Sequence, residues 1–210
     1  MTDDVKDCGD HQDNGWWKLL NRHTKVIIIS SLIFLSIILF VILLIFLILR
    51  PSKPCFTLQD VNLYTFNLTT TLTSYLQITI SSRNPNLRIG IDYDKVDVYA
   101  SYRNQQITLP TRLPPTYQGH KEVTVWSPYL NGTEVPMAPY LAMSLAEDET
   151  SGTVLINVRA TGRVRWKVGT FVSGRYRLNV NCPAYIMFEN NNVDGSAVKY
   201  QFVEGCHVEV

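Results

Sequence analysis

Along this chain the hydrophobic positions first run together and then alternate. Val26 to Leu49 reads VIIISSLIFLSIILFVILLIFLIL, 24 residues with no charge and three serines. As a helix it would measure about 36 Å, enough to cross a hydrocarbon core of about 30 Å with some tilt. A buried helix of a soluble domain would show a polar face, and this run has none. A cleaved signal peptide has a shorter apolar stretch of about 7–15 residues with small residues at a cleavage site. This run ends instead in Arg50-Pro51-Ser52-Lys53-Pro54. The pattern predicts a tail over 1–25, an uncleaved transmembrane helix over 26–49, a linker over 50–55 and one folded domain over 56–210.

Beyond the linker the pattern is that of strands. Leu76, Ile78 and Ile80 alternate with Gln77 and Thr79. Val154, Ile156, Val158, Ala160, Val164, Trp166 and Val168 keep one parity through Gly162, which predicts a long strand bent or bulged at the glycine. Eight or nine such segments, separated by Pro, Gly and Asn, predict an all-β antiparallel sandwich of immunoglobulin-like size. Ala138 to Glu149 fits a short helix or another strand equally well.

Residues 81–104, SSRNPNLRIGIDYDKVDVYASYRN, gather Asp92, Asp94 and Asp97 close together. They do not form an EF-hand loop. Counted from Asp92, its sixth and twelfth places hold Asp97 and Arg103 rather than Gly and Glu. Ile89, Ile91 and Tyr93 share one parity while Val96, Val98, Ala100 and Tyr102 share the other. The phase flip near Asp94-Lys95 predicts a bulge or tight bend, with Asn84-Pro85-Asn86 as a corner. A bent strand with solvated carboxylates follows, not a metal site.

At the C-terminus, NNNVDG over 190–195 is a turn between apolar runs. A hairpin symmetric about Asp194 places Cys182 opposite Cys206, Phe188 opposite Tyr200, Ile186 opposite Phe202 and Glu189 opposite Lys199. Aromatic and opposite-charge pairs favour that register and a Cys182–Cys206 disulfide. A turn built on Asp194-Gly195 alone would shift it by one. Cys55 is left over, as a thiol or a link to a second copy in a homo-oligomer.

Charge adds direction. The formal net charge is +1, which gives no global field for nucleic acid. Five aspartates precede Trp16 and Trp17 in a tail of low hydrophobicity that reads as disordered. Cys8 and His11 within it make a poor metal site. Lys18, Arg22 and Lys25 before the helix outnumber Arg50 and Lys53 after it, which puts the N-terminus in the cytoplasm and the folded domain outside. The acceptor patterns Asn67-Leu68-Thr69 and Asn131-Gly132-Thr133 agree with an outside domain, as do its three cysteines.

Catalytic signatures are missing: there is no Gly-x-Ser-x-Gly elbow, His-Glu-x-x-His, phosphate-cradling loop or Cys-x-x-Cys. The residues therefore read as a non-enzymatic protein without cofactor or metal. A basic stripe stands out instead. No acidic residue lies between Glu149 and Glu189, while Arg159, Arg163, Arg165, Lys167, Arg175 and Arg177 all do. If GTFVSG turns the chain about Phe171, Lys167 faces Arg175 and Arg165 faces Arg177. Like charges directly opposite are destabilising, so an offset is required. Either Asp92, Asp94 or Glu122 on an adjoining strand supplies it, or an anionic partner does. Arg163, Arg165, Lys167, Arg175 and Arg177 are the candidate contacts for lipid headgroups, an acidic wall polysaccharide or an acidic protein.

As a set, the basic segment before a single span, NPNLRIGIDYD at 84–94, YQGHK at 117–121 and RVRWKVG at 163–169 resemble the plant NDR/HIN-like family, the non-race-specific disease resistance and harpin-induced proteins. Asp92 departs from the pattern, where a second aromatic residue is common. The resemblance implies an outer domain of the late embryogenesis abundant type, second group, with a fibronectin-like sandwich. It also implies a plasma-membrane protein, at plasmodesmata in some members, tied to defence against bacteria or viruses. It assigns no catalytic residues. Asn84, Pro85 and Asn86, and Tyr117, Gln118, Gly119 and His120, are then structural corners. The expectation is recognition of a partner at the cell surface or wall, with lipid handling or stress protection as the rival.

Overall fold

The computed structural model describes residues 21–48, 51–188, 198–199 and 204–210. The proposed acidic tail, with Cys8, His11, Trp16 and Trp17, lies outside them. Two units emerge, Met1–Arg50 and Pro51–Val210. In the first, helix α1 (Arg22–Ile48) runs 27 residues. It starts four residues before the apolar run, where Asn21 takes up the free amides of the first turn: its side-chain oxygen accepts from Arg22 and its carbonyl from Thr24 and Lys25. By length and composition it can cross a membrane, and its apolar side chains from Val26 to Leu44 are exposed.

In the second unit the chain runs through β1 (Cys55–Leu68), β2 (Thr71–Arg83), β3 (Gly90–Tyr93), β4 (Val96–Tyr102), β5 (Gln105–Gln106), β6 (Thr111–Leu113), β7 (Thr116–Gln118), β8 (Val123–Trp126) and β9 (Tyr129–Pro136). Helix α2 (Pro139–Thr150) intervenes. Then follow β10 (Thr153–Val168), β11 (Phe171–Val172), β12 (Tyr176–Met187), β13 (Val198–Lys199), β14 (Glu204–Gly205) and β15 (His207–Glu209). One sheet has the order β13-β1-β2-β8, with β14 on β1 and β9 on β2; the other has β15-β12-β10-β3-β7, with β4 and β11 on β10. Their apolar faces form one core, in which Leu76, Ile78 and Ile80 of the first sheet are as buried as Val154, Ile156 and Val158 of the second. The fold is a mostly antiparallel β-sandwich, preceded in the chain by an apolar helix.

Three local features explain how the strands are steered. Tyr93 pairs with Val164 and Asp97 with Thr161, so β3 and β4 carry one more residue than β10 between those points. The extra residue is the bulge at Asp94-Lys95, pinned by the Asp94 amide donating to the Arg163 carbonyl at 2.9 Å. Gly162 makes this possible, since a Cβ there would collide with the Lys95 carbonyl and Val96. The ambiguous segment is helix α2, opened by a proline in its first turn and burying Leu141 and Leu145. Their four-residue spacing fits one face of a helix.

The C-terminal run changes sheets. Asn179 pairs with Glu209, Val180 with Val208 and Asn181 with His207. Cys182 and Cys206 follow in the same register and are joined by a disulfide, with Cα atoms 4.3 Å apart. Earlier in that run the hairpin expectation needs correcting: β14 and β13 pair with β1, where Lys199 lies opposite Asn62. Phe188 instead donates its amide to Gly152 and sets its ring against Phe66 at 5.7 Å. Joining the free edge of β1 gives the crossing segment ladder partners that β12 alone would not supply. Glu189, Tyr200 and Phe202 lie outside the described residues. Cys55 is exposed and free.

Candidate functional site

Strand alternation sets the outer face of the second sheet. With Val158, Ala160, Val164 and Trp166 buried, Arg159, Thr161, Arg163, Arg165 and Lys167 point outward from β10. Arg177, Asn179 and Asn181 point outward from β12 in the same way. The basic stripe therefore has a real surface, but its pairing differs from the expected one. Arg163, not Arg165, faces Arg177. Lys167 faces Val172 rather than Arg175.

The turn explains the shift. Val168 pairs with Phe171, leaving Gly169-Thr170 as a two-residue turn, and Gly169 has a φ of 58°. That left-handed backbone is accessible to glycine with little strain. Ser173 then bulges out: its hydroxyl accepts from the Trp166 amide at 2.9 Å and its own amide donates to the Trp166 carbonyl. Arg175 is carried off the ladder.

Each aspartate of the 81–104 stretch meets a different arginine. Asp92 pairs with Arg165 at 3.0 Å, Asp94 with Arg175 at 3.7 Å and Asp97 with Arg112 at 2.9 Å. The last contact raises the Arg112 pKa above its ordinary value through the hydrogen bond and charge of Asp97. Among the described residues no group of three or more His, Cys, Asp or Glu side chains converges as a metal site would require. Glu122 is used elsewhere, accepting from the Gly119 amide at 2.5 Å.

The five candidate cations thus divide. Arg165 and Arg175 are neutralised within the fold. Lys167 lies over the ring of Tyr117, 5.3 Å from its centroid. Arg163 and Arg177 have no carboxylate partner among the described residues, and both line a shallow hollow of about 300 Å³. Lys95, Arg112, Asp97, Thr161, Gly162 and Asn179 complete its wall. Lys95, Thr161 and Asn179 were not legible as site residues, because the bulge before β4 and the strands β10 and β12 bring them together. The two guanidinium forks, an ammonium and neighbouring hydroxyl and amide groups suit an oxyanion.

The remaining motif residues build the support beneath this face. Asn84 is buried, donating to the Ile89 and Gly119 carbonyls at 2.8 and 2.9 Å while its Oδ1 accepts from Asn86. Asn86 in turn clasps Ser52, donating to its carbonyl and accepting from its amide. Gln118 is buried too, donating to the Ser82 carbonyl at 2.6 Å and accepting from the Tyr93 hydroxyl at 3.0 Å. Burial pushes the Tyr93 phenol above its ordinary pKa, so it remains a neutral donor. Pro85 fixes the corner between Asn84 and Asn86, while His120 is exposed in the turn after β7. Asn67 and Asn131 are exposed on strands of the first sheet.

A family model described as "Late embryogenesis abundant protein" matches residues 79–183, a span that contains the hollow and the buried amides of Asn84, Asn86 and Gln118. NDR1/HIN1-like protein 1 of Arabidopsis thaliana is 54% identical over 98% of this chain and 100% of its own length. The chain belongs to the NDR1/HIN1-like family. NDR1/HIN1-like protein 12 of the same plant is 50% identical over 98% of the chain and 99% of its own length. NDR1/HIN1-like protein 26 is 43% identical over 81% of the chain and 82% of its own length. This is a plant family related to defence and stress, and its members are not known enzymes. The NDR1/HIN1-like chain described here joins that family's β-rich domain to a helix long and apolar enough for a membrane anchor.

Proposed function

We propose that this protein is a non-enzymatic, single-pass plasma-membrane protein of plant defence whose sandwich lies outside the cell and binds an acidic wall polysaccharide. The observation that carries the reading is the Arg163–Arg177 pair. Two guanidinium groups directly opposite on adjacent strands repel. The fold neutralises their neighbours Arg165 and Arg175 but leaves this pair beside Lys95 in a hollow. A carboxylate-rich chain supplies the missing charge, and repeated sugars let several such contacts add along its length. The polar lining of the hollow favours this over an acyl-chain site for lipid handling. The cationic flank before α1 and the two Asn-x-Thr sites support the outward orientation. Plasmodesmata are membrane-lined wall channels where such a bridge between membrane and wall would serve.

The test combines orientation with binding. Protease added to intact plant cells should remove the sandwich, and full-length protein in detergent should be retained on polygalacturonate. An Arg163→Gln/Arg177→Gln variant should lose most of that retention while Arg165→Gln keeps it. Protection from protease, or retention unchanged in the double variant, would overturn the reading.

A further inference from the structure

The outer face of the first sheet has the opposite chemistry. With Leu72, Ser74, Leu76, Ile78 and Ile80 buried, β2 turns Thr71, Thr73, Tyr75, Gln77 and Thr79 outward, a row without charge. Tyr75 sits between Tyr64 of β1 and Tyr129 of β9, with ring centroids 5.6 and 5.7 Å away. The Tyr75 and Tyr129 planes are within 2° of parallel. The Tyr64 hydroxyl donates to Gln77 Oε1 at 2.9 Å and holds its ring in place. Asp60, toward one end of this face, accepts from the Asn62 amide. These three rings stay 38–50% exposed, so the shelf presents ordered aromatic surface that no described residue covers.

One glycan acceptor is built into this shelf. Asn131 is the cross-strand partner of Tyr75 and lies two residues beyond Tyr129 on the same face. Within its Asn-Gly-Thr pattern, the Thr133 hydroxyl reaches Asn131 Oδ1 at 3.3 Å. Directly opposed side chains in an antiparallel pair have Cβ atoms about 4.5–5.5 Å apart. A sugar on Asn131 therefore starts within reach of the Tyr75 ring. Asn67, the other acceptor, is opposite Thr73 and has no ring facing it.

We infer that Asn131 carries an N-linked glycan whose first sugars fold back onto the Tyr75–Tyr129 shelf. In forming it, the Asn131 amide nitrogen displaces the diphosphate of a lipid-linked oligosaccharide at C1 and loses one proton, with no oxidant or reductant needed. A pyranose has faces of C–H groups edged by hydroxyls, which matches flat rings edged by Gln77 and Thr73. Neutral surroundings suit a neutral sugar, whereas the cationic hollow on the opposite sheet suits an acid. The glycan covers the exposed rings and ties β2 to β9 from outside. This inference rests on the outward orientation proposed above, but not on anion binding.

The test uses full-length protein made in plant cells and purified in detergent. Asn131→Gln and Asn67→Gln are each made with and without Tyr75→Ser/Tyr129→Ser. Asn131→Gln should remove one step of gel mobility and lower Tm by about 3 °C with the tyrosines present. In the serine background the same substitution should leave Tm unchanged, which is the coupling a direct contact produces. Asn67→Gln should show no such coupling. Unchanged mobility for Asn131→Gln, in cells whose sandwich external protease removes, overturns the inference. So does an Asn131 glycan whose loss lowers Tm equally in both backgrounds, which would leave the shelf to a separate partner. A sandwich protected from protease in intact cells refutes the orientation itself, and this inference falls with it.

Discussion

Arg177→Thr should make the sandwich more stable and less able to bind. In the structure Arg163 and Arg177 are cross-strand partners, and both are exposed. An opposed like-charge pair destabilises by about 0.2–1 kcal/mol, and water screening at this surface places the effect toward the lower end. Threonine also suits a strand. For a domain of this size the gain should raise Tm by about 1–3 °C. Thermal unfolding of the full chain in detergent, followed by near-ultraviolet circular dichroism, reads this directly, since Trp126 and Trp166 are buried in the core. The gain should shrink in high salt, where screening already relieves the repulsion. Arg165→Thr is the contrasting control. It removes the partner of Asp92 across a 3.0 Å contact, so it should lower stability by about 0.2–1 kcal/mol. If Arg177→Thr destabilises at low salt, and by the same amount at high salt, Arg177 is satisfied within the fold. The pair would then need no external anion.

Three further outcomes follow from buried groups. Gln118→Ala should cost about 2–4 kcal/mol in chemical denaturation, because it strips a partner from the Ser82 and Glu122 carbonyls and the Tyr93 hydroxyl at once. Replacing Cys182 and Cys206 together with serine should cost about 3 kcal/mol by opening a loop with a sequence separation of 24, and the wild type under reductant should lose a similar amount. Burial holds the Glu149 carboxyl above its ordinary pKa, so the folded state disfavours its ionised form. Stability is therefore lost as pH rises through the carboxylate range. Glu149→Gln should be neutral near pH ~3 and stabilising near pH ~7, and a denaturation series across pH that shows no such divergence would contradict the burial argument.

Much of the fold was legible because alternation is a local property. The odd and even positions of 76–80 and 154–168 sort into solvent and core as their residue types demand. The bulge at Asp94-Lys95 announced itself as a break in that alternation. Other features depended on choices that the residues leave open. GTFVSG offers two glycine-bounded turns, and the tighter one won because Gly169 takes a positive φ and Ser173 caps Trp166. That shifted the arginine register and changed which cation remained unpaired. The departure of β13 and β14 to β1 depends on a free sheet edge, which no local pattern of 198–205 encodes. Ala138 to Glu149 became a helix through the joint burial of Leu141 and Leu145, a fact of tertiary packing. The hollow was half visible. Its arginines lie in an obvious basic run, but Lys95 and Asn179 join them only through the topology of β10 with its two neighbours.

The most direct measurement is a binding titration of the full-length protein with polygalacturonate and with its neutral methyl ester, at low and high salt. The protein should bind the acid alone, less tightly at high salt and at least tenfold less tightly in Arg163→Gln/Arg177→Gln, a change of about 1.4 kcal/mol. Equal binding to the acid and the ester, or a double variant indistinguishable from wild type, would contradict this.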